Sequence, residues 1–320
     1  MNNSLQDIEL RLLNGGSINF KEAMEIAETA RLEDLLDVSD RIRRSFSGNK
    51  INLCTIINAK SGKCPENCKY CAQSAHYNTN ISEYPLINGE EVLKQAKTNE
   101  AYGVHRFSLV TSGRELDDND FEKILGIIRR LKKETRIKIC ASLGFSTCDR
   151  ALKLKEAGLD MYHHNLETGR SYFKNICTTH TFDDKIQTIK NLFSAGLKVC
   201  SGGIIGIGET MKDRLEMIFE LRELGIKNIP INILIPISGT PFENIKRIEP
   251  VEVLRTISLF RLVIPDAEIR YAAGRKNLGR YQKTALRAGI NGLMVGNFLT
   301  TSGNAIEEDL NMLRETGFEV

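Results

Sequence analysis

TFDDKIQTIKNLFSAGLKVCSGGIIGIGE, residues 181–209, reads as a helix closed by Gly196, then an apolar strand, then a glycine turn. The same pairing recurs on both sides of it. Upstream, GEEVLKQAKTNEAYG (89–103) precedes VHRFSLVT (104–111), DNDFEKILGIIRRLKKET (118–135) precedes RIKICASLG (136–144), and TCDRALKLKEAG (147–158) precedes DMYHHNLET (160–168). Downstream, MKDRLEMIFELRELG (211–225) precedes NIPINILIPI (228–237), EPVEVLRTISLFRLVIP (249–265) precedes AEIRYAAG (267–274), and GRYQKTALRAG (279–289) precedes INGLMVGNFLTT (290–301). INLCTIINAK (51–60) supplies the first strand, making eight. Strands alternating with helices imply a parallel sheet, and eight such units imply a closed (β/α)8 TIM-type barrel. An open doubly wound sheet is the competing architecture, but no cofactor-type glycine turn follows the first strand.

Before the barrel, NFKEAMEIAETARLEDLLDVSDRIRRSF (19–46) has apolar positions at spacings of three and four, so residues 1–49 form a helical extension. No Pro/Gly/Ser linker divides the chain. The expectation is one domain over 1–320, with the barrel at 50–295 and a C-terminal extension at 296–320.

Composition is that of an ordinary globular protein, 41% hydrophobic and 27% charged. A net charge of +3 over 320 residues gives no footprint for nucleic acid or a membrane surface. The N-terminal sequence lacks the basic start and apolar run of a signal peptide, and no window approaches a membrane span of about 18 apolar residues. A cytoplasmic protein is expected. Structural disulfides are rare there, so the eight cysteines call for metal ligation or redox chemistry.

Three of them, Cys64, Cys68 and Cys71, fall in KCPENCKYC (63–71), in the loop after the first strand, where a barrel keeps its active site. A disulfide uses two thiols and a closed zinc site four ligands, and no second C-x-x-C knuckle exists. Three soft sulfur ligands suit an iron–sulfur cluster with one iron left open to a small molecule. A structural zinc site or chance clustering is the bland alternative.

CPENCKYC matches C-x3-C-x-(aromatic)-C and resembles the radical S-adenosylmethionine (SAM) superfamily. The resemblance implies a 4Fe-4S cluster on Cys64, Cys68 and Cys71 whose open iron chelates SAM, with Tyr70 laid against it. Electron transfer to SAM then gives a radical able to take hydrogen from an unactivated C–H bond. The blocks KSGKCPENCKYCAQSAHY, YHHNLET, NICTTHTF, KVCSGGIIGIGET, PINILIPISGTPF, IRYAAGR and FLTT…EED, from about Asn52 to the C-terminus, resemble the biotin synthase family in content and spacing. That family inserts sulfur into dethiobiotin, drawing it from an auxiliary iron–sulfur cluster. The resemblance further implies a homodimer and an electron donor such as flavodoxin or ferredoxin. A related radical SAM maturase or mutase, and a non-catalytic iron–sulfur or zinc-binding module, are the alternatives.

Carried over residue by residue, the resemblance places Asn165 and Asn232 against the ureido ring of the substrate, an amide offering both donor and acceptor. Glu167 falls where many members carry Asp near the SAM ribose. Gly203, in a run that lets backbone approach a ligand, is expected in the SAM pocket with Lys185 and Glu209, two residues more often found as solvated surface charges.

The usual auxiliary cluster, 2Fe-2S, is held by three barrel cysteines and an arginine. Cys140, Cys200 and Arg270 match, but the third cysteine position is Ser108, a harder and less acidic ligand. Alternation along INLCTIINAK puts Asn52, Cys54 and Ile56 on one face; if that face points inward, Cys54 enters the same interior as Cys140 and Cys200. Core filler is the alternative for such a thiol. The expectation is a larger auxiliary cluster, four-iron with an additional sulfide, on Cys54, Cys140 and Cys200, with Cys177 a candidate fourth ligand. Cys148 is read as incidental, and His163, His164 and His180 as packing or hydrogen-bonding residues.

Overall fold

A computed structural model of the chain describes residues 4–296 and 305–320. The end of the last predicted strand and the FLTT block fall in 297–304, outside the described residues.

The predicted helical extension is three helices, α1 (Leu5–Leu13), α2 (Phe20–Thr29) and α3 (Leu32–Ser47). The continuous pattern over 19–46 is broken at Ala30, whose backbone turns extended (ψ 135°). Asn19 caps α2 reciprocally with Glu22, which fixes where that helix begins. α3 lies against the helix Pro250–Val263 on the barrel's outer layer.

All strand pairings are parallel. β1 (Asn52–Lys60), β2 (Arg106–Thr111), β3 (Lys138–Ser142) and β4 (Met161–His163) follow in order. The fifth predicted strand is split into β5 (Lys198–Cys200) and β6 (Gly203–Ile205), and β7 (Asn228–Ile233), β8 (Glu268–Tyr271) and β9 (Gly292–Met294) complete the circuit. β9 pairs with β1, and β7 takes both β6 and the end of β5, so the sheet closes as an eight-unit barrel.

The split has a local cause. A side chain at Gly202 would lie 2.0 Å from the Pro230 carbonyl, and one at Gly203 would lie 2.4 Å from the Glu167 carbonyl. The strand steps aside at these two residues so that the backbone after β4 can enter the sheet, and the Ile204 N–H donates to Glu167 O at 2.8 Å. Two side chains of β1, Leu53 and Ile57, are buried toward the helical layer, whereas Cys54 and Ile56 line the barrel cavity. Alternation in β1 therefore points as the sequence indicates. No helix among the described residues is long and apolar enough to cross a membrane.

Candidate active site

The loop after β1 folds back on itself. The Cys64 N–H donates to Gln73 O (3.0 Å) and the Ala75 N–H to Cys64 O (2.8 Å), while the Cys71 N–H donates to Cys68 O (3.0 Å). Left-handed backbone at Gly62 and Lys63 starts the turn. The loop is anchored by Glu66, a buried carboxylate that accepts from His180 Nδ1, Thr179 Oγ1 and Arg114, the last at 3.0 Å. Burial pushes the Glu66 carboxyl up, but these three hydrogen bonds outweigh it and hold it below its ordinary value. Asn67 ties the loop to the same segment, its Oδ1 accepting the Thr178 N–H at 2.9 Å.

All eight cysteines are free thiols, and Cys64, Cys68 and Cys71 are half-buried. Burial pushes the Cys64 thiol up, opposed by hydrogen bonding from the backbone of Glu66 and Gly113. Cys71 is pushed by burial to about 11, opposed by the backbone of Gln73 and Ser74. Backbone N–H groups are thus already aimed at these two sulfurs.

Behind the loop, the barrel encloses a cavity of 330 Å³. Cys54, Cys140 and Cys200 line it together with Ser108, Arg106 and Arg270. Burial raises all three thiols, Cys200 to about 12, and the two arginines oppose the rise for each of them. Arg270 is held by Asn52, its Nη1 donating to the Asn52 carbonyl (3.0 Å) and its Nη2 to Oδ1 (2.9 Å), and by an ion pair with Glu268. Burial works against the Arg270 charge; Glu268 and the three thiols outweigh it. The guanidinium is therefore a clamped cation facing three sulfurs.

The upper part of the cavity carries Asn165, Glu167 and Asn232. Both amides also hold backbone. Asn165 Oδ1 accepts the Gly202 N–H at 3.0 Å and its Nδ2 donates to Glu167 at 3.2 Å, while Asn232 Oδ1 accepts the Ala273 N–H at 3.2 Å. Glu167 has left-handed backbone (φ 73°), which turns its carboxylate inward to Tyr70. Burial, opposed chiefly by Lys185, raises the Glu167 carboxyl.

Several expectations change on inspection of the geometry. Cys177 is not with Cys54, Cys140 and Cys200; it lies at the loop, its Sγ 3.7 Å from Cys68 Sγ. The reason is that NICTTHTF follows β4 as a loop above the sheet rather than as part of a strand facing inward. Lys185 and Glu209, read as commonly solvated, are each 7% exposed. Glu209 accepts the Gly206 and Ile207 N–H groups (2.8 and 2.7 Å) and pairs with Arg214, so its carboxylate is occupied by the turn it closes. Lys185 lies over the Phe145 ring, 5.8 Å from its centroid. At Gly203 the space of a missing side chain is filled by Glu167 and Met217, protein against protein. Cys148 is exposed at the start of a helix, and His164 and His180 pack edge-on against Phe145.

Arg106 was missed although its signal was present: it stands two residues before Ser108 on β2 and shares its face. Glu268 carried the same signal, standing two residues before Arg270 on β8 and sharing its face; Glu66 had none, because His180, Thr179 and Arg114 come from other loops.

Comparison with known proteins bears on the fold and the family. Residues 59–221 match the radical SAM superfamily model, and residues 230–319 match the Biotin and Thiamin Synthesis associated domain, which supplies most of β7 and all of β8 and β9 to the same barrel. The biotin synthase of Acetivibrio thermocellus is 54% identical over 315 residues, covering 98% of each chain. That of Clostridium tetani is 49% identical, covering 100% of this chain and 99% of the relative. Among solved structures, methylornithine synthase superimposes with a TM-score of 0.85 at 19% identity, covering 98% of this chain and 96% of its own. The FeFe-hydrogenase maturase HydG from Carboxydothermus hydrogenoformans gives 0.83 at 17%, covering 98% and 78%. These two likenesses fix the fold alone. With full-length relatives at about half identity, the chain belongs to the biotin synthase family of radical SAM enzymes.

Proposed function

We propose that the chain converts dethiobiotin to biotin, with SAM bound at the Cys64–Cys68–Cys71 loop and sulfur supplied from a second iron–sulfur group deeper in the barrel. One observation carries this: a single cavity has Cys54, Cys140 and Cys200 on its wall, and Asn165, Asn232 and Glu167 at the strand ends that open toward the loop. A substrate held by the two amides lies between a SAM site and a sulfur source.

The donor sets suit iron–sulfur groups. Three half-buried thiols on one turn, two of them facing backbone N–H groups, suit a cluster with one open iron. In the barrel, two buried thiols, Cys54 and Cys140, and the half-buried Cys200 face two arginines, and metal binding would displace protons that burial now retains. When bound, the loop cluster supplies the electron that cleaves SAM, drawn from a donor of the flavodoxin or ferredoxin kind.

The protein's own residues position and insulate. Tyr70 and Glu167 form one wall of the SAM site, and Lys185 holds a positive charge toward it. Asn165 and Asn232 present amide edges to the urea of the substrate. Arg270, clamped by Glu268 and Asn52, balances the negative charge of the deep group rather than ligating it. With Cys54 in place of a thiol at position 108, we assign the deep site to a four-iron group carrying an additional sulfide, on Cys54, Cys140 and Cys200. The test is iron and sulfide analysis of the anaerobically reconstituted protein together with dethiobiotin-dependent SAM cleavage. About eight irons per chain agree with the assignment, whereas about six return the site to a two-iron group. SAM cleavage indifferent to dethiobiotin would remove the substrate.

A further inference from the structure

Cys177 has no part in the deep cavity, yet it is buried and in contact with a loop cysteine. Cys68, Cys177 and His180 have donor atoms within 4.8 Å of one another, a spacing a lone metal ion would accept. In the loaded enzyme, however, Cys68 is occupied by the cluster. What the contact does then follows from hydrogen-bond accounting around the two sulfurs.

The loop sulfurs are not treated alike by the backbone. Cys64 faces Glu66 and Gly113 N–H groups, and Cys71 faces those of Gln73 and Ser74. Cys68 has the Cys177 thiol as its hydrogen-bond partner instead, at 3.7 Å. A metal-bound thiolate carries no proton and can only accept, so with the cluster in place the hydrogen in this contact belongs to Cys177.

The other neighbours of Cys177 Sγ are already engaged. Asn67 Oδ1, at 3.3 Å, accepts the backbone N–H groups of Thr178 and Thr179 at 2.9 and 3.3 Å. Thr179 Oγ1, at 3.4 Å, donates to Glu66 and accepts the Asn67 N–H at 3.1 Å. His180 Nδ1, also at 3.4 Å, is turned to Glu66. The Cys177 S–H also reaches Asn67 Oδ1, but that oxygen already accepts two N–H groups, so the anionic sulfur of Cys68 is the stronger acceptor for it.

We infer that Cys177 is a positioning residue for the SAM cluster: its thiol donates a hydrogen bond to Cys68 Sγ, replacing the backbone donors that Cys64 and Cys71 have. The inference rests on the assignment of the loop cysteines to that cluster. A donor on a ligating sulfur withdraws charge from it and favours the reduced cluster, so the contact raises the reduction potential. Glu66, His180 and Thr179 hold Cys177 and the loop in one frame, which fixes the donor's direction.

The test is an EPR-monitored redox titration of the anaerobically reconstituted full chain, following the reduced signal that changes on SAM addition. Cys177→Ala, which removes the donor, is expected to shift that midpoint negative. Cys177→Ser, which keeps a donor, is expected to move it back toward the parent value with equal iron content. Coincident midpoints in all three proteins overturn the inference. So does loss of the SAM-responsive signal in both variants, which would make Cys177 a ligand or an assembly residue. A Cys68→Ala protein that keeps the SAM-responsive signal would instead refute the loop assignment itself, a separate result.

Discussion

Ser108 on β2 is the register partner of Cys140 on β3, and both face the cavity that Cys54 enters from β1. A hydroxyl therefore stands one rung from a thiol, with a second thiol across the neighbouring strand. If the deep group depends on Cys54, Cys54→Ala should remove about four irons per chain and abolish biotin formation, while SAM-dependent EPR changes at the loop persist. Adding Ser108→Cys to that variant restores a thiol beside Cys140 and should recover about two irons, read by iron and sulfide analysis. Unchanged iron in Cys54→Ala would show that this thiol is core filler.

Arg270 and Glu268 make a second prediction, through stability. Arg270 is buried, with a side chain 4% exposed, and Glu268 pairs with both it and Arg106, the latter at 3.3 Å. Removing the acid leaves two cations in a low-dielectric floor, so Glu268→Ala should destabilise the fold by about 3 kcal/mol. Adding Arg270→Met to that variant should recover part of the loss, because the uncompensated charge goes with it. Denaturant titration of the single and double variants measures the coupling, and additivity would mean that the pair is not coupled.

The barrel and the inward side of its strands were legible because both are periodic. Asn52, Cys54 and Ile56 follow alternation, and Arg106 and Ser108 obey the same rule one strand over. Cys177 was not legible: its contact with Cys68 spans 109 residues and arises from how two loops meet above the sheet. Lys185 looks like a surface charge in sequence because Phe145, the ring beneath it, comes from a distant loop; the partners of Glu209, namely Gly206, Ile207 and Arg214, are local, and its burial follows from the glycine turn it closes. The dual use of Asn165 and Asn232, as backbone clamps and cavity walls, also required the fold.

His105 predicts a pH dependence. Its Nδ1 accepts the Leu53 N–H at 3.0 Å, which only the neutral ring can do. Burial lowers its pKa from the ordinary 6.5, helped by Arg106 and Arg270. Below 6.5 the unfolded chain binds more protons at this site than the folded one, so stability rises with pH there. The contribution is complete above the ordinary value and is lost as pH falls through the folded one. His163, lowered by burial to about 4, has the same sign. The thermal midpoint should fall between about pH 7 and about pH 5, and His105→Gln should flatten that slope. An equal slope in both proteins would assign the acid sensitivity to other groups.

Asn165 and Asn232 separate scaffold from substrate contact. Asn165 Oδ1 holds the Gly202 N–H at the point where the fifth strand splits, and Asn232 Oδ1 holds the Ala273 N–H after β8. Each Ala substitution therefore unsatisfies a backbone donor and should cost about 1 kcal/mol by thermal or denaturant unfolding. If the amides also bind the urea of the substrate, KM for dethiobiotin should rise at least tenfold, the equivalent of about 1.4 kcal/mol, while SAM affinity stays near its parent value in the Asn232 variant; Asn165 also holds Glu167 of the SAM wall (3.2 Å). Asn232→Asp is the sharper probe. Its carboxylate still accepts the Ala273 N–H, so the chain should fold, at a cost of about 1 kcal/mol for the lost Nδ2 donation to Gly203 O (3.2 Å), but it cannot donate to a urea carbonyl. A folded variant with a raised KM identifies substrate contact. A stable Asn232→Asp with an unchanged KM leaves Asn232 as a strand-end clamp alone.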